Sequence, residues 1–232
     1  MPRTALIDGD ILAYRIGFAS QDVEERHAVS RLRETVLDIA FQGADADRYR
    51  GFLSPRGPVF RHRIATLAPY KGTRKQEKPI HFDALRAFMH DRLGFEMAVD
   101  EEADDLIGIE AVFGGDDTVI CTLDKDLDMI PGWHYNFAKR ETRYIGPEEA
   151  LANFYRQILT GDTVDNIPGL YHAQGIKCGP VMAEGLIPVG LDEKTMHEIV
   201  VSAYGGNEDM VRELGQLLWI RRYPGQTWEP PQ

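Results

Sequence analysis

A block of four acidic residues within five positions constrains this chain more than any other stretch. The block consists of Glu101, Glu102, Asp104 and Asp105. An apolar run that ends near residue 100 precedes it, and apolar residues at helical spacing follow it, so the pattern predicts a strand and then a helix that begins on carboxylates. Ordinary helix capping accounts for one or two acids, whereas four repel one another unless a cation lies among them.

Two other apolar runs have the composition of buried strands and also end on carboxylates. Residues 4–7 lead to Asp8, and residues 118–122 lead to Asp124 and Asp126. Continuous apolar runs of this kind are typical of strands in a parallel sheet. Further strands are predicted at 49–53, 133–137 and 142–145, and amphipathic helices at 11–18, 29–40, 82–93 and 147–160. The chain is therefore predicted to be α/β, with a mostly parallel central sheet flanked by helices and an α-helical C-terminal part.

The carboxylates at these strand ends should lie close together, because ligands of open α/β sheets bind outside the carboxyl ends of the strands. Asp162 and Asp165, which follow the 147–160 helix, are expected nearby. So many acids could not all stay ionised without cations. Oxygen donors without paired Cys or His favour Mg²⁺ or Mn²⁺ over zinc. The donors exceed what one octahedral ion can use, which indicates two ions and hence in-line displacement at phosphorus.

Composition agrees with a globular protein. The chain has 232 residues, of which 43% are hydrophobic, enough for one large domain or one domain with a small appendage. No signal peptide or membrane-spanning stretch is predicted, and the two cysteines lack metal-ligand spacing, so a cytoplasmic location without a membrane partner is expected. The net charge is −11, yet residues 48–78 are rich in Arg and Lys with Glu77 as the single acid. This basic segment favours contact with phosphate groups.

Five motifs resemble, in order, those of the 5′-nuclease (flap endonuclease) superfamily, which includes phage 5′→3′ exonucleases and the 5′-nuclease domain of bacterial DNA polymerase I. The motifs are LIDGD at 6–10, YKGTR at 70–74, EADDLIG at 102–108, DKDL at 124–127 and GDTVDNIPG at 161–169. The resemblance implies a PIN-like nuclease core at 1–160 with a basic arch-like segment at about 70–93. A helical DNA-binding part at 161–232, with a helix–three-turn–helix, would pack on the core as one compact unit.

The resemblance also implies an activity, which is Mg²⁺-dependent 5′→3′ exonuclease or flap-endonuclease hydrolysis of DNA by two metal ions. The products would carry 5′-phosphates. The implied substrates are DNA with 5′ ends in duplex, gapped or flap form, with RNA–DNA hybrids as a further candidate. The implied setting is phage or bacterial DNA replication and repair, and a monomer is expected.

The site residues implied by the resemblance fall into three groups. The metal-site carboxylates are Asp8, Glu102, Asp104, Asp105, Asp124, Asp126, Asp162 and Asp165. Lys71 and Arg74 would touch the scissile phosphate, and a terminal base would stack on Tyr70, for which a core tyrosine is the alternative. The DNA-binding residues are Arg56, Arg61, Arg63, Lys75, Lys78, Lys177 and Gly179. Residues 177–183 lack a glycine and a lysine of the family motif, which leaves the bound monovalent cation of relatives open. Near Ser54, one carboxylate of relatives is missing.

Two alternatives remain at this point. Asp8 after a strand, with the later Asp162 and Asp165, also resembles a haloacid-dehalogenase-type phosphatase in which Asp8 would be the nucleophile. That interpretation gives the 102–105 acids and the basic segment no role. The second alternative is a non-catalytic module that binds DNA structures and uses the carboxylates only to anchor a cation.

Overall fold

The computed structural model describes residues 2–73 and 77–232, so Arg74 and Lys75 of the predicted site lie outside the described residues. Six strands form one sheet: β1 (Thr4–Asp8), β2 (Arg48–Leu53), β3 (Glu96–Met97), β4 (Thr118–Cys121), β5 (Gly132–Asn136) and β6 (Glu141–Ile145). Their order is β3-β2-β1-β4-β5-β6. The first five run parallel, and β6 is antiparallel to β5. The predicted α/β class with a mostly parallel sheet is confirmed.

The described part of the chain also contains ten α-helices. They are α1 (Gly9–Phe18), α2 (Glu25–Leu37), α3 (Phe60–Ile64), α4 (Phe82–Leu93), α5 (Ala103–Gly114), α6 (Pro147–Thr160), α7 (Leu170–Gln174), α8 (Pro180–Leu186), α9 (Glu193–Ala203) and α10 (Glu208–Leu218). Helix α2 continues into a π-helical turn at Asp38–Gly43, and short 3₁₀ turns occur at Gly115–Asp117 and Asp126–Met129. The described residues contain no helix of the length and apolarity needed to cross a bilayer.

The two faces of the sheet bury two separate apolar clusters. On one face Ile7 and Val119 pack with side chains of α1, α2 and α4. On the other face Leu6 and Ile120 pack with α5 and with the helices of the C-terminal part. The connection that follows β1 thus covers one face, while α5, which leads into β4, covers the other. A crevice opens where such connections diverge, at the carboxyl ends of β1 and β4.

The strand before the acidic block is shorter than predicted. Only Glu96–Met97 pairs as β3, at the edge of the sheet. Beyond it, the amide of Ala98 still donates to the carbonyl of Leu53, but Asp100 adopts a left-handed backbone with φ of 60°. The chain therefore turns before it enters α5, and the apolar residues at 95–99 cannot all be strand.

The second half of the predicted arch-like segment belongs to the body of the protein. Residues 82–93 form α4, whose Leu85 and Met89 are fully buried against α1 and α2. Glycine at position 17 permits this approach, because a Cβ there would lie 2.4 Å from the ring of Pro79.

Candidate metal and nucleic-acid site

Asp8 is fixed at the carboxyl end of β1 by the start of the next helix. Its Oδ1 accepts a hydrogen bond from the amide of Ile11 at 3.2 Å, so it caps α1. Its Oδ2 accepts from the hydroxyl of Thr122 at 2.9 Å. Because Thr122 follows β4, these two contacts hold the buried carboxylate between the ends of two adjacent parallel strands.

Asp124 and Asp126 lie in the turn that follows β4. The hydroxyl oxygen of Thr122 accepts from the amide of Asp124 at 3.0 Å, and Asp124 Oδ1 accepts from the amide of Asp126 at 2.9 Å. Gln157 of α6 donates from Nε2 to Asp126 Oδ1 at 2.7 Å. Local Asx-type contacts and one amide from a neighbouring helix therefore orient both carboxylates.

The start of α5 supplies Glu102 as its N-cap, followed by Asp104 and Asp105. Asp104 lines the same cavities as Asp124. Asp105 instead points inward, where its Oδ2 accepts from the amide of Glu102 at 3.0 Å in a capping box.

Burial and neighbouring carboxylates raise the pKa of three acids at this edge. Burial, with Asp10 and Asp124 as like charges, raises the pKa of Asp8 to about 7. Burial, together with Asp8 and Asp124, raises the pKa of Asp104 well above its usual range. Burial and the nearby acids Asp124, Asp162 and Asp165 raise the pKa of Asp126 to about 8. Such a set needs protons or cations at neutral pH, and its all-oxygen donors suit a hard divalent ion.

The side chains as they stand do not enclose an ion. Among residues 2–73 and 77–232, no three His, Cys, Asp or Glu side chains are arranged to hold a metal. Glu102 is engaged by Tyr70 and Lys71, and Asp124 by the backbone of Asp126. Asp124 can accept this hydrogen bond and still offer oxygen lone pairs to an ion, whereas Glu102 would share its oxygens with Tyr70 and Lys71.

Two adjoining cavities meet at these acids and share Lys71, Asp104 and Asp124 as lining residues. One, of about 550 Å³, extends towards Asp126, Asp162 and the start of α8. The other, of about 670 Å³, is lined by Asp8 and, besides Lys71, by four basic side chains, Arg15, Arg56, Lys78 and Arg86. The carboxylates thus lie along the middle of a groove whose second half is rich in cations, an arrangement suited to a phosphodiester chain.

Lys71 lies within the acidic cluster. Its ammonium group forms an ion pair with Glu102 and lies 3.5 Å from Asp165 Oδ2. Its amide donates to the carbonyl of Asp165 at 2.8 Å, and Lys71 itself has a left-handed φ of 56°. The contacts of Lys71 therefore join the 70–73 turn to the loop that carries Asp162 and Asp165.

Tyr70 occupies the core position that the sequence offered as its alternative. The side chain is 5% exposed, and its hydroxyl lies 2.6 Å from Glu102 Oε2 and 2.8 Å from Asp165 Oδ2. The His62 ring packs nearly perpendicular to the Tyr70 ring, with the two centroids 5.2 Å apart. The prediction that a terminal base stacks on Tyr70 is corrected, since the ring is already covered by protein.

Two further predictions are corrected by one buried ion pair. Arg61 was expected on the DNA-binding surface and Asp105 among the metal ligands, but the side chains are 3% and 0% exposed and bind each other. The two nitrogen–oxygen distances are 2.6 and 2.8 Å. Arg61 points inward, where the Asp105 carboxylate neutralises it through two parallel hydrogen bonds.

The remaining predicted cations lie on the surface. Arg56 pairs with Asp83 at 2.7 Å and Arg63 with Asp100 at 2.5 Å, all four being exposed. Lys78 lies 5.1 Å from the ring centroid of Phe82. In the C-terminal part, Lys177 is exposed in the connection between α7 and α8, and Gly179 is the N-cap of α8.

Sequence reasoning missed an ion pair next to Asp8. Asp10 accepts from the amide of Ser54 at 2.9 Å and pairs with Arg86, which is 6% exposed. Arg86 also donates to the carbonyl of Ser54 at 2.5 Å. A signal was available, because Arg86 falls on the apolar face of α4 beside Phe82, Leu85 and Met89, where an arginine needs an acidic partner.

The architecture is similar to that of solved structures of a phage nuclease. A mutant of bacteriophage T5 5′-exonuclease matches with a TM-score of 0.60 and 18% identity, over 94% of this chain and 88% of that one. The bacteriophage T5 flap endonuclease, in a pseudo-enzyme-product complex with DNA and metal ions, matches with a TM-score of 0.61 and 17% identity. The match covers 93% of this chain and 88% of that one. T5 5′-exonuclease with bound zinc matches with a TM-score of 0.60 and 17% identity, over 93% of this chain and 89% of that one. A comparison with family models and with curated proteins found no match. The likeness shows that this chain has the 5′-nuclease fold.

Proposed function

We propose that this protein is a metal-dependent 5′-nuclease of the flap endonuclease superfamily, a hydrolase of DNA phosphodiesters. One observation carries the proposal: the carboxylates of Asp8, Asp104, Asp124 and Asp126 converge at the carboxyl edge of a sheet with the fold of the T5 nucleases. The phosphatase is not favoured, because it gives the cation-rich groove beside these acids no role. The non-catalytic module is not favoured, because a single anchored cation needs fewer carboxylates than converge here.

The ligand sets follow from position along the groove. Asp8, Glu102, Asp104 and Asp124 would hold one Mg²⁺, and Asp126, Asp162 and Asp165 would hold the second, directly or through water. Mn²⁺ has the same preference for oxygen donors. Bound there, the pair of ions would generate the attacking hydroxide and stabilise the leaving 3′ oxygen, so that the products carry 5′-phosphates.

The chain's own residues orient these ligands. Thr122 holds Asp8, Gln157 holds Asp126, and Tyr70 lies against Glu102 and Asp165. Lys71 lines both cavities at their junction and would contact the scissile phosphate of DNA bound there. Arg74 is proposed to assist it, but lies outside the described residues.

The DNA would follow the groove in both directions. Arg56 and Lys78 line the cation-rich half, Arg63 is exposed on the surface, and Lys75 lies outside the described residues. On the other side Lys177 and the amides that follow Gly179 at the start of α8 would contact duplex phosphates, with or without a monovalent cation.

The proposed substrates are 5′-ended duplex, gapped or flap DNA, with RNA–DNA hybrid as a further candidate. A monomer acting in the cytoplasm is proposed.

A single set of cleavage assays tests the proposal. Duplex, gapped, flap and RNA–DNA substrates, each labelled at the 5′ or the 3′ end, are incubated with the protein in Mg²⁺, Mn²⁺ or EDTA. We expect metal-dependent release of short 5′-phosphorylated products from the labelled 5′ end. Binding without cleavage in either metal would favour the non-catalytic module. A phosphoenzyme mimic trapped on Asp8 would favour the phosphatase.

A further inference from the structure

The C-terminal tail returns to the start of α5, the helix that supplies Glu102 and Asp104. Arg61 donates to the carbonyl of Leu217 at 2.9 Å and to that of Trp219 at 2.8 Å, in addition to its two bonds with Asp105. The amide of Arg221 donates to Asp105 Oδ1 at 3.1 Å. One buried guanidinium and one buried carboxylate thus link three separate parts of the chain.

A second contact from the tail reaches the other side of the N-cap. Arg221 forms an ion pair with Glu101 at 2.9 Å, and its guanidinium lies 3.8 Å from the ring centroid of Phe60. The helix also passes close to the tail, since a Cβ at Gly108 would lie 2.5 Å from the carbonyl oxygen of Arg221. Glu102 and Asp104 are therefore flanked by residues whose positions the tail fixes.

We propose that Arg61 is a positioning residue for the metal site, which with Asp105 and Arg221 aligns the carboxylates of Glu102 and Asp104 without binding metal or DNA. The inference rests on the proposed function of the carboxylates as metal ligands. In this chain Asp105 is neutralised by a fixed internal cation, and the ligands proposed here are Glu102, the N-cap of α5, and Asp104 in its first turn. Lysine cannot replace Arg61, because an ammonium group cannot reach both Asp105 oxygens and both tail carbonyls at once.

The test measures metal binding directly. Mn²⁺ is titrated into the wild type and Arg61→Lys, with free Mn²⁺ followed by electron paramagnetic resonance well below each thermal midpoint. Loss of a partner that orients a ligand typically weakens metal affinity about 10- to 100-fold, and we expect this range for Arg61→Lys. Arg50→Lys is the matched control, because Arg50 forms an ion pair with Glu110 on the same helix, away from the acids. It should keep the wild-type affinity.

The outcomes separate the possible roles of Arg61. If Arg61→Lys folds and binds Mn²⁺ with wild-type affinity, the inference is overturned. The Arg61–Asp105 ion pair would then only stabilise the fold. Weaker DNA binding in Ca²⁺ at unchanged Mn²⁺ affinity would instead make Arg61 a DNA contact. Should Arg61→Lys not fold, Arg221→Gln is used instead; it removes the Glu101 ion pair, the contact with the Phe60 ring and the hydrogen bond to the Gln226 carbonyl. Unchanged Mn²⁺ affinity in this variant overturns the inference that the tail aligns the two ligands. If the wild type binds Mn²⁺ but cuts no DNA, the proposed function fails while this inference is still decided.

Discussion

Asp124 is the residue whose charge affects most of the candidate site. It contributes to the raised pKa of Asp8, Asp104 and Asp126, so it lies between both proposed ion positions. Replacement by Asn keeps the size of the side chain and its acceptor for the amide of Asp126, but removes one negative charge.

We expect Asp124→Asn to lower the single-turnover rate by roughly 10²- to 10³-fold, since metal-bound charge is worth several kcal/mol in the transition state. DNA binding in Ca²⁺ should stay equal or improve, because a charge that repels phosphate is lost. The exposed Asp116→Asn serves as control and should cleave like the wild type. Near-wild-type turnover of Asp124→Asn at saturating Mg²⁺ would remove Asp124 from the ligand set.

A second comparison separates Lys71 from the surface cations. Lys71→Ala should slow the single-turnover rate by on the order of a hundredfold while binding changes little, because a preorganised cation acts on charge that develops in the transition state. Arg56→Ala should instead weaken binding and flatten its salt dependence by about one unit of slope. Rapid-quench kinetics and binding at three salt concentrations measure both. Equal loss of affinity with an unchanged chemical step in both variants would make Lys71 part of the electrostatic track.

At single positions, the sequence predicted which carboxylates gather but not which way the basic side chains point. Acids at the ends of apolar runs are brought together by the parallel sheet itself, so spacing is sufficient to find Asp8 and Asp124. Arg61 is different, because its partners Asp105 and Trp219 are 44 and 158 positions away. No local pattern distinguishes it from Arg63, which stays exposed two residues later.

At the scale of elements, propensity and periodicity were enough for long helices and central strands. Helix α6 begins on Pro147 and ends before Gly161, as its capping residues predict. The edge strand β3 was overestimated, because apolar composition does not reveal that Asp100 turns the chain. The 161–169 loop that follows α6 was predicted from its sequence motif. Its shape depends on the close approach of the Gly169 backbone to that of Thr160 and Gly161, which the composition of the loop does not show.

That loop provides an element-scale prediction. A Cβ on Gly169 would lie 2.2 Å from the carbonyl oxygen of Thr160, so Gly169→Ala must push the loop that carries Asp162 and Asp165 away from α6. We expect a loss of about 2 kcal/mol, which lowers the thermal midpoint by about 4–8 °C, with weaker Mn²⁺ binding. Gly185→Ala lies in α8, where the added Cβ has no atom within 4 Å apart from its chain neighbours and its own helix backbone, and it should be neutral or slightly stabilising. A Gly169→Ala protein as stable as Gly185→Ala would show that the loop yields without strain.

For the whole molecule, the net charge of −11 is distributed unevenly, and part of it is buried. Burial and neighbouring acids raise the pKa of Asp8 to about 7 and that of Asp126 to about 8. In the unfolded chain both carboxyls titrate near 3.9. Between about pH 4 and 8 the folded protein therefore retains protons that the unfolded chain releases, and in this window the two groups make the free energy of unfolding fall as pH rises.

The last prediction uses this window to detect the metal site without an activity assay. In EDTA, Asp126→Asn should gain thermal stability relative to the wild type as pH rises from 5.5 to 8.5, because the variant cannot acquire the buried negative charge. In Mg²⁺ the wild-type midpoint should rise more at pH 8.5 than at pH 5.5, since the ion binds deprotonated carboxylates.

Circular dichroism melts at four pH values, in EDTA and in Mg²⁺, measure both effects. The Asp116→Asn variant gives the baseline for the loss of an exposed acid. A difference between Asp126→Asn and the wild type that stays constant with pH would mean that Asp126 is already ionised in the metal-free protein, and its proposed place at the second ion would lose its electrostatic basis.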